Sequence, residues 1–131
     1  PPRSPTDPET LAVLRLLGRA ALELGRLDEA ELTFRRALRQ AEAVLPAGHW
    51  TVHALRVPVA EVLVARGRWA EAEHWLADAW AAVRDALGEE ARASRRVARA
   101  LVALHEARGD NAAATFWREL MGPLPLLVTS N

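Results

Sequence analysis

The chain has 131 residues, half of them apolar, which fits one domain with a continuous core. Its 17 basic and 17 acidic side chains give a formal net charge of zero, which argues against a dedicated nucleic-acid or membrane-surface binder. Because cysteine is absent, disulfides and thiolate metal sites are excluded.

The N-terminal residues indicate a linker followed by the start of a helix. The opening Pro1-Pro2-Arg3-Ser4-Pro5 has no initiator Met, and we interpret residues 1–6 as a linker at the cut edge of a longer protein. Thr6 and Glu9 have the spacing of a capping box, with Pro8 in the first turn. A helix is therefore expected from residue 8.

Apolar residues then recur every three or four positions, which is the period of an amphipathic helix, and no stretch alternates as a strand does. The pattern predicts six helices, over residues 8–24, 28–45, 51–66, 70–87, 90–108 and 111–121. Pro58 falls inside the third of these. It predicts a kink there or, alternatively, a helix that begins near Val57.

Glycines with matched flanking sequences divide the helices into pairs. Gly25, Gly67 and Gly109 are spaced 42 residues apart, and the segments that they open are GRLDEAE, GRWAEAE and GDNAAAT. Each glycine follows an apolar helical stretch, where a residue must adopt the left-handed conformation to end the helix. The predicted unit is therefore helix, tight turn, helix.

Both ends of the repeated region carry unusual apolar surface. The first helix is apolar over a wide arc, so an earlier repeat or a second copy of the chain is expected to pack on it. At the other end, Pro123 and Pro125 rule out a continuing helix in the apolar tail 122–131. We expect this tail to fold back over the last helical pair, and insertion into a neighbour's groove is the alternative.

The pattern of small and apolar residues resembles the tetratricopeptide repeat (TPR) family. The residues that carry the resemblance are Leu17, Gly18, Gly25, Ala30, Phe34 and Ala37 in the first unit and Gly67, Trp69, Ala72, Leu76 and Ala79 in the second. The third unit keeps Gly109 and Ala114. The sequence departs from the family at Ala60, where Gly is frequent, and at Arg118, where an aromatic residue or Leu is usual.

The length of the repeat points to particular branches of that family. A 42-residue period resembles the subgroup found in kinesin light chains, and residues 45–72 resemble the tail repeats of some bacterial serine/threonine kinases. The resemblance implies an all-α fold of three stacked antiparallel helical hairpins in a right-handed α-solenoid. The repeats would occupy about residues 7–47, 48–88 and 89–121, which together make one domain over residues 7–121.

The resemblance also implies where such a domain binds. In the family, the first helix of each hairpin lines a concave face that holds peptides or partner helices. The groove positions of the family map here to Arg15, Arg19, Glu23, Val57, Glu61, Val64, Arg96, Arg99 and Glu106. The four arginines of this set lie at the two ends of the groove and would suit an acidic peptide or a chain-terminal carboxylate.

A solvated face is the alternative interpretation of these arginines, which would then pair with Glu61 and Glu106. The fifth helix requires compensation of a positive cluster. Four arginines fall within residues 92–99, and like charges four residues apart on a helix repel each other. Their compensation would come from Glu89 and Glu90, from acids on the third helix, or from an acidic ligand.

The sequence offers no constellation for catalysis. Its three serines, Ser4, Ser94 and Ser130, follow no strand, and no glycine-rich phosphate loop is present. His49 and His53 have the spacing of a chelating pair but lack a third ligand, so neither a metal nor another cofactor is expected. Most of the five tryptophans are expected in the core, and an exposed one would be an anchor for a partner.

These features predict a protein–protein interaction module that is not an enzyme and that binds a peptide or partner protein, acidic in character. The alternatives are self-association, through the first helix or the tail, and a docking or regulatory segment of a larger protein such as a serine/threonine kinase. The absence of Lys, Tyr and Ile indicates the codon bias of a GC-rich, bacterial genome. We expect a cytoplasmic location, or the exported side if the chain is attached to a membrane kinase.

Overall fold

Six α-helices and the turns between them make up residues 8–122, the part of the chain that this computed structural model describes. The helices are α1 (Pro8–Glu23), α2 (Leu27–Val44), α3 (Trp50–Ala65), α4 (Trp69–Leu87), α5 (Arg92–Ala107) and α6 (Asn111–Met121). No strand occurs within residues 8–122. The predicted all-α class and the six predicted helices are thus confirmed. The predicted linker, its capping residue Thr6 and the apolar tail beyond Gly122 lie outside the described residues.

The three turn glycines have the same geometry. Gly25, Gly67 and Gly109 have φ angles of 77°, 79° and 77°. Each donates its N–H to the carbonyl three residues back, at 3.0, 3.0 and 3.1 Å, and the residue that follows donates to the carbonyl five residues back, at 2.8, 2.9 and 2.8 Å. This pair of hydrogen bonds satisfies the last carbonyls of the helix. The 42-residue sequence repeat is therefore also a structural repeat.

Neighbouring helices pack in chain order, and α3 also packs against α5. Ala30, Ala72 and Ala114, which lie five residues after the three glycines, are fully buried where the second helix of each hairpin crosses the first. One main core cluster includes residues of all three hairpins, because the hydrophobic effect favours burial of each apolar stripe against the next. The chain thus forms three stacked helical hairpins.

Ion pairs join successive hairpins at equivalent positions. Nε of Arg66 lies 3.0 Å from Oε1 of Glu31, and Nη1 of Arg108 lies 3.0 Å from Oε1 of Glu73. Each arginine lies between the last residue of a hairpin's first helix and the turn glycine. Each glutamate lies in the second helix of the preceding hairpin. Arg66 also donates a hydrogen bond to Asp28. The same contact therefore recurs between each hairpin and the next.

The third helix contains a buried proline. Pro58 lies inside α3, which begins at Trp50, so the alternative start near Val57 is wrong. The start is stabilised by His49, whose Nδ1 accepts a hydrogen bond from the Thr51 N–H at 3.1 Å. The kink at Pro58 stays a prediction.

None of the helices within residues 8–122 combines the length and the hydropathy required to cross a membrane.

Candidate partner-binding site

The first helices of the three hairpins, α1, α3 and α5, lie side by side and form one face of the stack, here called the groove face. Their proximity is shown by the packing of α3 against α5 and by an ion pair of 3.1 Å between Arg19 of α1 and Glu61 of α3. Because these helices share one face, side chains that lie far apart in the sequence meet there.

A cavity of about 480 Å³, here called the arginine cavity, opens on this face. Its lining combines three arginines with apolar side chains and a few small residues: Arg15, Trp50, Thr51, Ala54, Leu55, Val57, Leu87, Ala91, Arg92, Ala93 and Arg96. The volume lies within the range of sites that hold small ligands or side chains of a partner. A smaller cavity of about 310 Å³ is also bordered by Arg15 and Arg96, together with Arg19, and these two shared arginines stand between the two cavities.

The arginines of the cavity have no acidic partner in the part of the chain that the structure describes. Within residues 8–122, no carboxylate lies at ion-pair distance from Arg15, Arg92, Arg96 or Arg99. Burial, and then the positive charges of Arg96 and Arg19, lower the pKa of Arg15. Both causes disfavour the cation, so an anion placed between these guanidinium groups would be attracted to them.

The alternative prediction is that the groove arginines pair with Glu61 and Glu106. Within the described residues, only the pairing with Glu61 is found. Arg19 does pair with Glu61, but Glu106 pairs with Arg118 of α6. Arg95 is turned away from the groove and donates a hydrogen bond to the Met121 carbonyl at 2.6 Å. The arginine cluster of α5 is therefore divided between a structural contact and the groove face.

The remaining predicted groove residues are spread over the face. Val57 is 1% exposed, so it belongs to the core and contributes only to the wall of the arginine cavity. Val64 and Glu61 border a third cavity, of about 230 Å³. Glu23, Arg99 and Glu106 are exposed and do not line the arginine cavity.

Sequence reasoning missed part of the cavity. Trp50, Leu87 and Arg92 line it, although they lie at the ends of helices, where the groove positions of the family do not fall. These residues could have been predicted from the alternating direction of the helices. That alternation places the start of α3, the end of α4 and the start of α5 at the same end of the stack. Trp50 is half-buried, so its indole ring can contact a ligand without leaving the core.

The other tryptophans are distributed away from the arginine cavity. The ring of Trp80 is buried and meets that of Trp117 edge-on, with centroids 5.3 Å apart. Trp75 lies beneath the guanidinium groups of Arg35 and Arg56, at 5.1 and 5.8 Å from its centroid. Trp69 is 38% exposed and does not line the arginine cavity either, so Trp50 is the tryptophan that lines it.

His49 and His53, which have the sequence spacing of a chelating pair, lie in different surroundings. His49 caps α3, as described above, and the Nδ1 atom of His53 is buried without a hydrogen-bond partner in the described chain. No cluster of three or more His, Asp or Glu side chains that could hold a metal occurs within residues 8–122.

In comparisons with known proteins, no protein-family model matches the chain, and no curated protein matches it. The resemblance to tetratricopeptide repeats therefore stays an expectation that rests on the residues named above.

Proposed function

We propose that this chain is a tetratricopeptide-like interaction module that binds an acidic segment of a partner protein at the arginine cavity. One observation carries the proposal: Arg15, Arg92 and Arg96 border an apolar cavity, and no carboxylate of the described chain pairs with them. Seven other arginines of the described chain have acidic partners: Arg19, Arg26, Arg35, Arg66, Arg84, Arg108 and Arg118. Five more have none within residues 8–122 either, but they do not line the arginine cavity: Arg36, Arg39, Arg56, Arg68 and Arg99. The unpaired charge is therefore combined with an apolar lining at Arg15, Arg92 and Arg96.

The lining indicates the chemistry of the bound segment. Guanidinium groups bind carboxylates through parallel hydrogen bonds, so Arg15 and Arg96 favour Asp, Glu or a terminal carboxylate between them. The indole of Trp50 and the side chain of Leu87 offer an apolar surface beside these charges. The segment is therefore one in which an acidic residue is adjacent to a bulky apolar residue.

The local charge, rather than the total charge, supports this choice. The net charge of the chain is zero, so a polyanion such as nucleic acid gains little from the long-range field of the molecule. A short acidic segment interacts only with the cluster at the cavity. Its affinity should fall as salt is added, because the guanidinium groups are partly exposed.

Binding of short fluorescent peptides to the full chain tests the proposal. The probes are a peptide with Glu beside Leu and a matched peptide with Gln in place of Glu, and the variant is Arg15→Ser with Arg96→Ser. We expect the double variant to weaken binding of the Glu peptide about tenfold or more, because charged hydrogen bonds contribute about 1.5–3 kcal/mol each.

The control is Arg36→Ser with Arg39→Ser, which removes the same charge from α2, outside the arginine cavity. The proposal requires that this control retain the affinity of the unaltered chain. Equal losses in the two double variants would show that binding depends on overall charge alone. Equal binding of the Glu and Gln peptides would contradict a carboxylate site.

A further inference from the structure

A row of apolar side chains on α1 is exposed although the repeat register places it at an interface. The row, here called the α1 stripe, consists of Val13, Leu17 and Ala20 of α1 and Leu24, which directly follows the helix. Val13, Leu17 and Leu24 are 52%, 57% and 69% exposed, and Ala20 is exposed as well. Contiguous exposed apolar surface of this kind is typical of a surface that binds another molecule.

Most of the residues equivalent to the α1 stripe in the other two hairpins are buried. The residues 42 and 84 positions after its first three members are Leu55, Val59 and Val62 in α3 and Val97, Leu101 and Leu104 in α5, and none of them is more than 6% exposed. In α3 this surface is covered by the preceding hairpin, as shown by the packing of Leu55 on Leu38 and Ala41 of α2. The α1 stripe is the equivalent surface of the first hairpin, and no element within residues 8–122 covers it.

We propose that a second copy of this chain covers the α1 stripe, with the two α1 helices packed antiparallel about a two-fold axis. The stripe residues are spaced by four, three and four positions, which is symmetric about a point between Gly18 and Arg19. Antiparallel pairing about that point places Leu17 against the partner's Ala20 and Val13 against the partner's Leu24. Each layer then joins a larger residue to a smaller one, and every stripe residue is covered.

Leu24 favours a second copy over another hairpin of the internal kind. The equivalent residues in the later hairpins are Arg66 and Arg108, which pair with Glu31 and Glu73 of the preceding hairpin. A preceding hairpin of that kind would place its glutamate against Leu24, an apolar side chain that cannot pair with it. An apolar Val13 from a second copy has no such cost, because it carries no charge to desolvate.

The opposite end of the stack does not fit the stripe. Where α2 and α4 carry the buried Phe34 and Leu76, α6 carries Arg118, which is exposed and pairs with Glu106. Stacking α6 of one copy on α1 of the next would remove this ion pair from water. The interface is therefore face to face and closed, and it gives a dimer rather than a filament.

Light scattering after size-exclusion chromatography tests the dimer on the full chain. We expect about twice the 14.4 kDa mass of the chain, falling toward 14.4 kDa on dilution. Leu17→Glu and Ala20→Glu should each shift the chain to the monomer, because both place charges in the interface. Each variant is used only if its circular dichroism matches that of the unaltered chain.

The matched control is Leu32→Glu on α2. Leu32 is 65% exposed, much like Leu17, but its equivalents His74 and Phe116 are exposed as well, so no neighbouring hairpin covers this position. It should leave the dimer intact. A monomeric unaltered chain at all concentrations, a larger assembly, or a dimer that survives both stripe variants would overturn the proposal.

Disulfide trapping tests the orientation separately. The chain has no cysteine, so Leu17→Cys with Ala20→Cys introduces the only thiols. Trypsin cleaves after Arg19, between the two positions, so the peptides of the covalent dimer report which residues are joined. A link between positions 17 and 20 is expected. Links of 17 to 17 and 20 to 20 alone would indicate a parallel pair and overturn the proposed arrangement.

Discussion

Gly18 shows how the size of one side chain is matched to its neighbour across a hairpin. It is buried in α1, and a Cβ atom at this position would lie 2.7 Å from Cδ1 of Phe34 in α2. The equivalent positions of the second hairpin carry Ala60 and Leu76, which are both buried. A larger residue on the first helix thus accompanies a smaller one on the second.

This matching predicts the effect of a single methyl group. Gly18→Ala should lower the free energy of unfolding by about 1–3 kcal/mol, because the Phe34 ring cannot move without disturbing the core. Phe34→Leu added to Gly18→Ala reproduces the pair of the second hairpin and should recover part of the loss. Urea unfolding of the two single variants and the double variant measures this coupling. Strictly additive losses would show that the two positions are independent.

His53 makes the stability depend on pH. Burial, followed by the positive charge of Arg56, lowers the pKa of His53, and Asp78 offsets part of this effect. As the pH falls below the ordinary value of 6.5, the unfolded chain binds a proton that the folded chain does not yet accept. The contribution of His53 to stability is therefore lost between 6.5 and its lowered pKa.

Thermal unfolding between about pH 7.5 and pH 5.5 measures this effect. His53→Gln should reduce the fall in melting temperature across that interval relative to the unaltered chain. Arg56→Gln, which removes the positive charge beside His53, should reduce the fall as well. If both variants show the same pH dependence as the unaltered chain, His53 does not titrate as described.

At the scale of elements, the helices and turns follow from local sequence, whereas the site does not. Gly25, Gly67 and Gly109 combined with the 3.6-residue period are sufficient to predict six helices and three equivalent turns. Capping by His49 could not be predicted in the same way, because imidazole is an infrequent cap. Such details depend on side-chain direction at the helix start.

The candidate site depends on geometry between elements. The resemblance to tetratricopeptide repeats implied that Arg15 and Arg96 lie on one face, and both border the same cavities. Arg19 pairs with Glu61, and Arg95 donates a hydrogen bond to the Met121 carbonyl. Both contacts depend on the distance between two neighbouring helices. Periodicity defines the face on which a side chain lies but not the neighbour that it reaches.

The equivalent ion pairs between hairpins predict equal couplings. Arg108 and Glu73 are partly exposed, so their interaction should contribute about 0.2–1 kcal/mol to the free energy of unfolding. A double-mutant cycle with Arg108→Gln and Glu73→Gln measures it, and the cycle for Arg66 and Glu31 should give a value of the same size or larger, because Asp28 also binds Arg66. A coupling of zero in both cycles would mean that apolar packing alone sets the register.

For the whole molecule, the shared core predicts cooperative unfolding. Leu63 and Leu76 of the second hairpin belong to the cluster that also includes Phe34 and Leu101 of its neighbours. Loss of one hairpin would therefore expose the core of the next, and unfolding should be a single transition. Circular dichroism and tryptophan fluorescence should give the same urea midpoint, and Leu63→Ala should lower it by an amount equivalent to about 2–5 kcal/mol. Two separate transitions would contradict a shared core.

If the arginine cavity holds the acidic segment of a partner, binding should alter the surroundings of the tryptophan that lines it, and the five tryptophans provide five separate indole N–H signals. The most direct measurement is a nuclear magnetic resonance titration of the labelled chain with the Glu-containing peptide. The Trp50 signal should shift first and furthest, because its ring lines the cavity beside Arg15 and Arg96. The Trp75 signal, beneath Arg35 and Arg56, should stay in place. A shift of Trp75 with no change at Trp50 would place binding on another face and contradict the account.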